Sequence, residues 1–177
     1  MTKEKKTADG NYRLLHPMRV VLVASQSKAG RNNVMTAAWC MPVNDDPFRV
    51  ALAIGSDSVT TGNIRRTKEF TINIPGKNLL KQAVICGSMH GKDVDKASKA
   101  SLHYAKSRKI HAPIIDECIG HLECRLWKTV SAEGVDLFIA DVKSAYAEKS
   151  LLNETWKDKA KVLLHLGGKS FAIPKKI

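Results

Sequence analysis

Three short stretches of the 177-residue chain hold residue types from which a ligand site could be built. In the first, Ser56-Asp57-Ser58-Val59-Thr60-Thr61-Gly62-Asn63, hydroxyls are dense and the pattern opens a helix near Thr60 that runs toward Lys68. Ser56, Ser58, Thr60, Thr61 and Asn63 would then stand near a helix N-terminus, where free amides and the dipole favour a phosphate. In the second, Cys86-Gly87-Ser88 leads into a polar loop whose Lys92 and Lys96 could neutralise a dianion. The third, Asn32 to Trp39, contains no charged residue, and its Val, Met, Thr and Trp suit an extended segment. Ala37 and Ala38, however, supply almost no volume where a strand normally carries a bulky side chain. A strand thinned in this way lets a flat group approach the backbone of Asn33, Val34, Met35, Thr36, Ala37 and Ala38. Read together, the stretches describe a ligand with a planar head and a phosphate tail.

Each piece has a plainer reading. Ala37 and Ala38 could pack under a neighbouring element, Ser58 and Thr60 could be simple helix caps, and Lys92 and Lys96 could be solvated. Cys86 before Gly87 could be a small buried residue closing a helix. The case for a site rests on finding all of them in one chain.

The elements that must position these residues follow from periodicity. Met18 to Ala24 is an apolar run, and the turn signal Lys28-Ala29-Gly30 joins it to the Asn32–Trp39 strand as a hairpin. Pro42 to Pro47 reads as a turn cluster, followed by a strand over Phe48–Ile54. Phe70 to Ile74 alternates as a strand, and residues 79–86 fit a helix with Leu79, Leu80, Ala83 and Val84 inward. Residues 100–117 are irregular. Glu123–Val130 and Leu137–Val142 form a second hairpin around Ala132-Glu133-Gly134, and Val162–Leu166 is a last apolar segment. About six antiparallel strands with inserted helices predict a mainly β fold, a closed or nearly closed barrel. Residues 1–15 read as a mobile basic lead-in and residues 16–177 as one domain. No GxGxxG follows a strand, so a Rossmann nucleotide site is not expected.

Composition narrows the function classes. No apolar stretch approaches the roughly 18 residues of a membrane span, and the first seventeen residues lack the apolar core of a secretory signal, so a cytoplasmic protein is expected. The four cysteines form no CxxC pair and the six histidines are scattered, so no metal site is expected. The net charge of +12 allows a basic nucleic-acid-binding barrel as an alternative. Aromatic residues make up only 6% of the chain and none interleaves the lysine clusters, which leaves few platforms for bases.

In its ordered set of motifs the chain resembles the flavin reductase-like family, the FMN-binding split barrels that include flavoredoxins. The residues that carry the resemblance are Gly30-Arg31-Asn32-Asn33-Val34-Met35-Thr36-Ala37-Ala38-Trp39, Asp46-Pro47 before Val50–Ile54, and Thr60-Thr61-Gly62-Asn63-Ile64 with Phe70–Pro75. Cys86-Gly87 through Gly91-Lys92-Asp93-Val94-Asp95-Lys96, Ala112-Pro113-Ile114 and Leu122–Arg125 continue it over roughly residues 16 to 170. The resemblance implies a homodimeric split β-barrel with FMN near the subunit interface. Its ring would lie along Asn33–Ala38, and Cys86, Gly87 and Ser88 would also belong to the cofactor site. Its phosphate would sit against Ser56, Ser58, Thr60, Thr61 and Asn63 with Lys92 or Lys96 nearby. It also implies an oxidoreductase or electron carrier fed by NAD(P)H or a protein donor, with Arg31 and Trp39 candidates for the subunit junction. The chain departs from the family at Gly134-Val135-Asp136-Leu137-Phe138, where Gly-Asp-His often precedes the Leu-Phe.

Overall fold

The computed structural model describes residues 5–92 and 94–175, so Lys3 of the expected basic lead-in and Asp93 lie outside the described residues. The first expected strand is two, β1 (Met18–Arg19) and β2 (Val21–Gln26). The break is Val20, whose amide donates to the Leu163 carbonyl at 3.0 Å instead of continuing the β2 ladder. β3 (Asn32–Ala37) pairs with β2 through the expected hairpin, with Val21 opposite Ala37 and Gln26 opposite Asn32. Gly30 closes that turn at φ +81°, a conformation costly for any residue with a Cβ. β4 (Cys40–Asp45) and β5 (Phe48–Gly55) follow, so the expected turn at Pro42–Pro47 shrinks to its last two residues. Pro42 is tolerated in β4 because that strand lies at a sheet edge, where a missing N–H breaks no internal ladder.

Helix α1 (Val59–Thr67) starts where the hydroxyls place it, with the Ser58 side chain accepting from the Thr61 amide. β6 (Glu69–Ile74) is buried along its whole length. Helix α2 (Leu80–Ser88) turns Ala83 and Cys86 inward next to buried Leu79, which immediately precedes it, but Val84 is 45% exposed, against expectation. The 3.6-residue period puts 79, 83 and 86 on one face and rotates 84 off it. Short α3 (Lys96–Ala100) is capped by the Asp95 carboxylate. The irregular stretch after it holds only the two-residue strands β7 (Tyr104–Ala105) and β8 (Ile114–Ile115). The late hairpin is longer than its alternating core suggests, with β9 (Gly120–Ala132) and β10 (Val135–Ala147) at 13 residues each. β11 (Leu164–Gly167) and β12 (Ser170–Ala172) form a closing hairpin of which the sequence showed only the first arm.

Seven strands form one sheet in the order β3-β2-β6-β9-β10-β5-β4, every adjacent pair antiparallel. The sheet curls but does not close, since β3 and β4 are its two edges. Alternation along β2 divides the core. Val21 and Val23 face the barrel interior with Leu52, Phe70, Ile72, Cys124 and Phe138, all at most 2% exposed. Leu22 and Ala24 face outward and pack with Val34, Ala83, Cys86, Ala97 and Leu163 under α2 and α3. The helices inserted after β6 therefore cover the outer face of β2 and β3. A separate sheet, β1-β11-β12, carries the chain end back beside them.

Candidate functional site

Two adjoining chambers lie where β3, α1 and α2 converge. The polar one, about 280 Å³, is bounded by Asn33, Met35 and Thr36 of β3, by Gly55 and Asp57–Thr60 at the start of α1, and by Cys86, Gly87 and residues 89–92 with Lys96. Local chemistry builds it. Ser58 donates to the Thr61 hydroxyl at 3.0 Å, and Thr61 donates in turn to the Gly55 carbonyl at 2.7 Å, which fixes the first turn of α1. The Val59 and Thr60 amides, in that first turn, have no carbonyl to bond within the helix. The Thr60 hydroxyl accepts from the Asn33 side chain at 2.8 Å, which leaves its own proton to donate into the chamber.

Lys96 supplies the charge. It is 6% exposed, its Nζ lies 3.5 Å from the Cys86 carbonyl, and among the described residues no carboxylate pairs with it. Burial holds its pKa below the ordinary lysine value. A nearly buried ammonium with one marginal hydrogen bond is a costly arrangement that an anion in the chamber would relieve. Cys86 beside it has its thiol pushed up to about 11 by burial, with the Lys96 charge pulling the other way, so it is a neutral wall and not a nucleophile.

The second chamber, about 350 Å³, is mainly apolar. Its floor is Thr36, Ala37 and Ala38, one side is Ala83, Val84, Gly87 and Ser88 of α2, and the other is Val20 with His165, Gly168, Lys169 and Phe171. Thr36 and Gly87 border both chambers, so the two meet there. A Cβ on Gly87 would come within 3.3 Å of the Thr36 Cβ, and the Thr36 hydroxyl is itself held by the Ala83 carbonyl at 2.5 Å. The throat is open because residue 87 has no side chain. As β3 is a sheet edge, its outer backbone faces this space with no strand beyond it.

The structure thus brings Asn33, Met35, Thr36, Ala37, Ala38, Ser58, Thr60, Cys86, Gly87, Ser88, Lys92 and Lys96 to the chamber walls. Four expected residues do not reach them. Val34 is fully buried under the helices, and the Ser56 amide bonds the Gly134 carbonyl. Thr61 is consumed in the α1 cap, and Asn63 donates to the Ser25 hydroxyl at 3.1 Å. Asp136, at the departure from the family pattern, borders neither chamber: it is 1% exposed and ion-paired to Arg65 at 2.6 Å, tying β10 to α1. Residues missed at the sequence level are Val84, misassigned to the core, and the hairpin group His165, Lys169 and Phe171. The only local signal for that group was the Gly167-Gly168 turn. Among the described residues no cluster of His, Cys, Asp and Glu could hold a metal ion.

The flavin reductase like domain matches residues 12–173. Escherichia coli K12 YddH is 33% identical over 164 residues, covering 89% of this chain and 87% of that protein. A Pyrococcus abyssi protein is 33% identical over 162 residues, covering 90% and 92%. Among solved structures, flavoredoxin from Methanosarcina acetivorans superposes with a TM-score of 0.88 over 99% of this chain and 94% of its own, at 24% identity. The FMN-binding protein from Thermus thermophilus gives 0.82 over 98% and 95%, at 20% identity. These structural likenesses establish the split-barrel fold.

Proposed function

We propose that this chain, which belongs to the flavin reductase-like family, is an FMN-binding oxidoreductase or electron carrier that works as a homodimer. The observation that carries the reading is the joined pair of chambers, one built for an anion and one for a flat apolar ring. The residues fit FMN at both ends. Lys96, Lys92, the Thr60 hydroxyl and the free amides of Val59 and Thr60 would hold the phosphate. Thr36 and Gly87 would pass the ring through the throat, and Ala37 and Ala38 would seat it close to the open edge of β3. When bound, FMN supplies the redox chemistry, accepting electrons from a hydride donor or a protein and passing them on.

The protein's own part is placement. The Ser58–Thr61–Gly55 relay rigidifies the phosphate end before any ligand arrives. Ala38 keeps the ring's approach free of bulky side chains, while Ala37 turns its methyl into the barrel core and leaves its backbone to the chamber. The apolar walls Val20, Val84 and Phe171 keep water from the reacting face. Electrons come from NAD(P)H or an electron-transfer protein and leave to free flavin or another acceptor. Among the relatives, the reductase component of a 4-nitrophenol monooxygenase from Rhodococcus opacus supports the reductase side of this reading, and the flavoredoxins support the carrier side.

The test is purification followed by an absorption spectrum, then NADH and NADPH oxidation with and without added FMN. A flavin spectrum retained through gel filtration, with pyridine-nucleotide oxidation, supports a reductase. A retained flavin inert to both nucleotides supports a carrier. Protein that binds no FMN at micromolar concentration rejects the proposal.

A further inference from the structure

Strand alternation dictates what the closing hairpin shows to the apolar chamber. In the β1-β11-β12 sheet, Met18 lies opposite His165 and His165 opposite Phe171, so these three share a face. That face is the one on the apolar chamber, since His165 and Phe171 line it. Arg19 and Leu164, paired to each other, turn to the other side of the sheet. The hairpin is pinned where it stands. The His16 Nδ1–H donates to the His165 carbonyl at 2.9 Å, and the two imidazoles meet edge to face at 5.1 Å. His165 packs on Phe171 at 5.4 Å between ring centres, and its Nε2–H donates to the Gly168 carbonyl at 3.1 Å. One imidazole nitrogen of His165 is thus spent on its own turn. Gly167, at φ +112°, leaves room for the Arg13 stem against the turn.

The remaining polar feature is Lys169. Among the twelve residues lining the chamber it is the one lysine or arginine, and none of the twelve is acidic. Among the described residues no carboxylate lies within ion-pair distance of it. None of the hairpin residues borders the polar chamber, so they stand at the end of the site away from Lys96. A ring passed through the Thr36–Gly87 throat and seated on the Ala37–Ala38 floor leaves the hairpin side of the chamber for a second molecule. We propose that the β11–β12 hairpin is the specificity element of the site, Lys169 selecting a planar aromatic co-substrate that carries an anionic group. This rests on the reading that FMN occupies the throat. The anion could be a carboxylate on the ring itself or a phosphate one sugar away, as in a pyridine mononucleotide.

Two pairs test the anion: the isosteric 4-hydroxybenzoate against 4-hydroxybenzamide, and nicotinamide mononucleotide against nicotinamide riboside, which differ by the phosphate group. Each is titrated by calorimetry into the FMN-loaded protein and into the FMN-free protein. The anionic member of at least one pair should bind about three- to fivefold tighter, the range an exposed ion pair supports. The first pair marks a ring carboxylate and the second a sugar phosphate. The ratio should fall toward one in Lys169→Met and return in Lys169→Arg, with FMN affinity unchanged in both. Equal affinities within both pairs, or a preference that survives Lys169→Met, overturn the assignment. If the protein takes up no FMN, the proposed function falls, while the FMN-free titrations still decide the role of Lys169.

Discussion

Lys96 concentrates the chemistry of the site in one side chain. Its pKa is held down by burial, so the folded protein sheds that proton at a lower pH than the unfolded chain does. Between those two pKa values the unfolded state binds more protons, and stability rises with pH. The FMN-free protein should therefore gain stability over that alkaline window, and Lys96→Met should abolish the gain. Below the window Lys96→Met should raise the melting temperature by about 2–4 °C, the equivalent of roughly 1 kcal/mol in a chain of this size. Melting curves of both proteins across pH check this. FMN affinity has the opposite slope, since the phosphate binds the ammonium, and should fall as pH rises through the Lys96 pKa. Thr61→Val should act mainly on stability, costing about 1 kcal/mol by losing the bond to Gly55, with a smaller loss of FMN affinity as the phosphate end loosens. In sequence, Thr60 and Thr61 are equivalent hydroxyls at a helix start. A rotation of about 100° per residue sends one to the chamber and the other to the cap, which composition cannot show.

Among elements, the thinned strand and the hydroxyl-rich helix start were legible because their signals are local. The unusual feature and its neighbours in sequence are also neighbours in space. The β11–β12 wall was not legible, since it reaches the chamber from more than a hundred residues beyond β3 and its role depends on the twist of a separate sheet. Val84 was misplaced for a related reason: an apolar residue on a helix face reads as core until the space beside it is known to be a cavity. Gly87 tests the throat between the chambers. Gly87→Val should exclude FMN while leaving the far-ultraviolet circular dichroism of the free protein unchanged, because α2 there faces open space except at Thr36. Another buried polar cluster holds a different element. Glu123, fully buried, accepts from the amides of Arg108 and Lys109 at 2.7 and 2.6 Å and from the Tyr146 hydroxyl at 2.9 Å. It pins the irregular segment before β8 to the barrel. Glu123→Gln should cost about 1.5–3 kcal/mol in denaturant unfolding, as bonds to a charge are lost, with FMN affinity retained.

At the scale of the molecule, edge strand β4 and its surroundings expose Trp39, Met41, Val43, Phe48 and Trp127, each at least 37% accessible. An edge strand bearing this much apolar surface is a pairing site, and a second copy of the chain is its proposed partner. Phe48→Glu should shift sedimentation toward monomer. If both subunits touch the flavin, FMN removal should weaken the dimer by mass action. The +12 charge, which had suggested nucleic acid, is dispersed along the chain, and the one deeply buried lysine among the described residues lies in the polar chamber. That placement makes the central claim a claim about phosphate. The most direct measurement compares FMN with riboflavin, identical except for that group, by fluorescence quenching in the native protein and in Lys96→Met. FMN should bind native protein roughly tenfold to a hundredfold tighter than riboflavin, the worth of charge-assisted hydrogen bonds, and Lys96→Met should erase most of the difference. Equal affinity of the native protein for the two flavins, or an undiminished preference in Lys96→Met, would contradict the account.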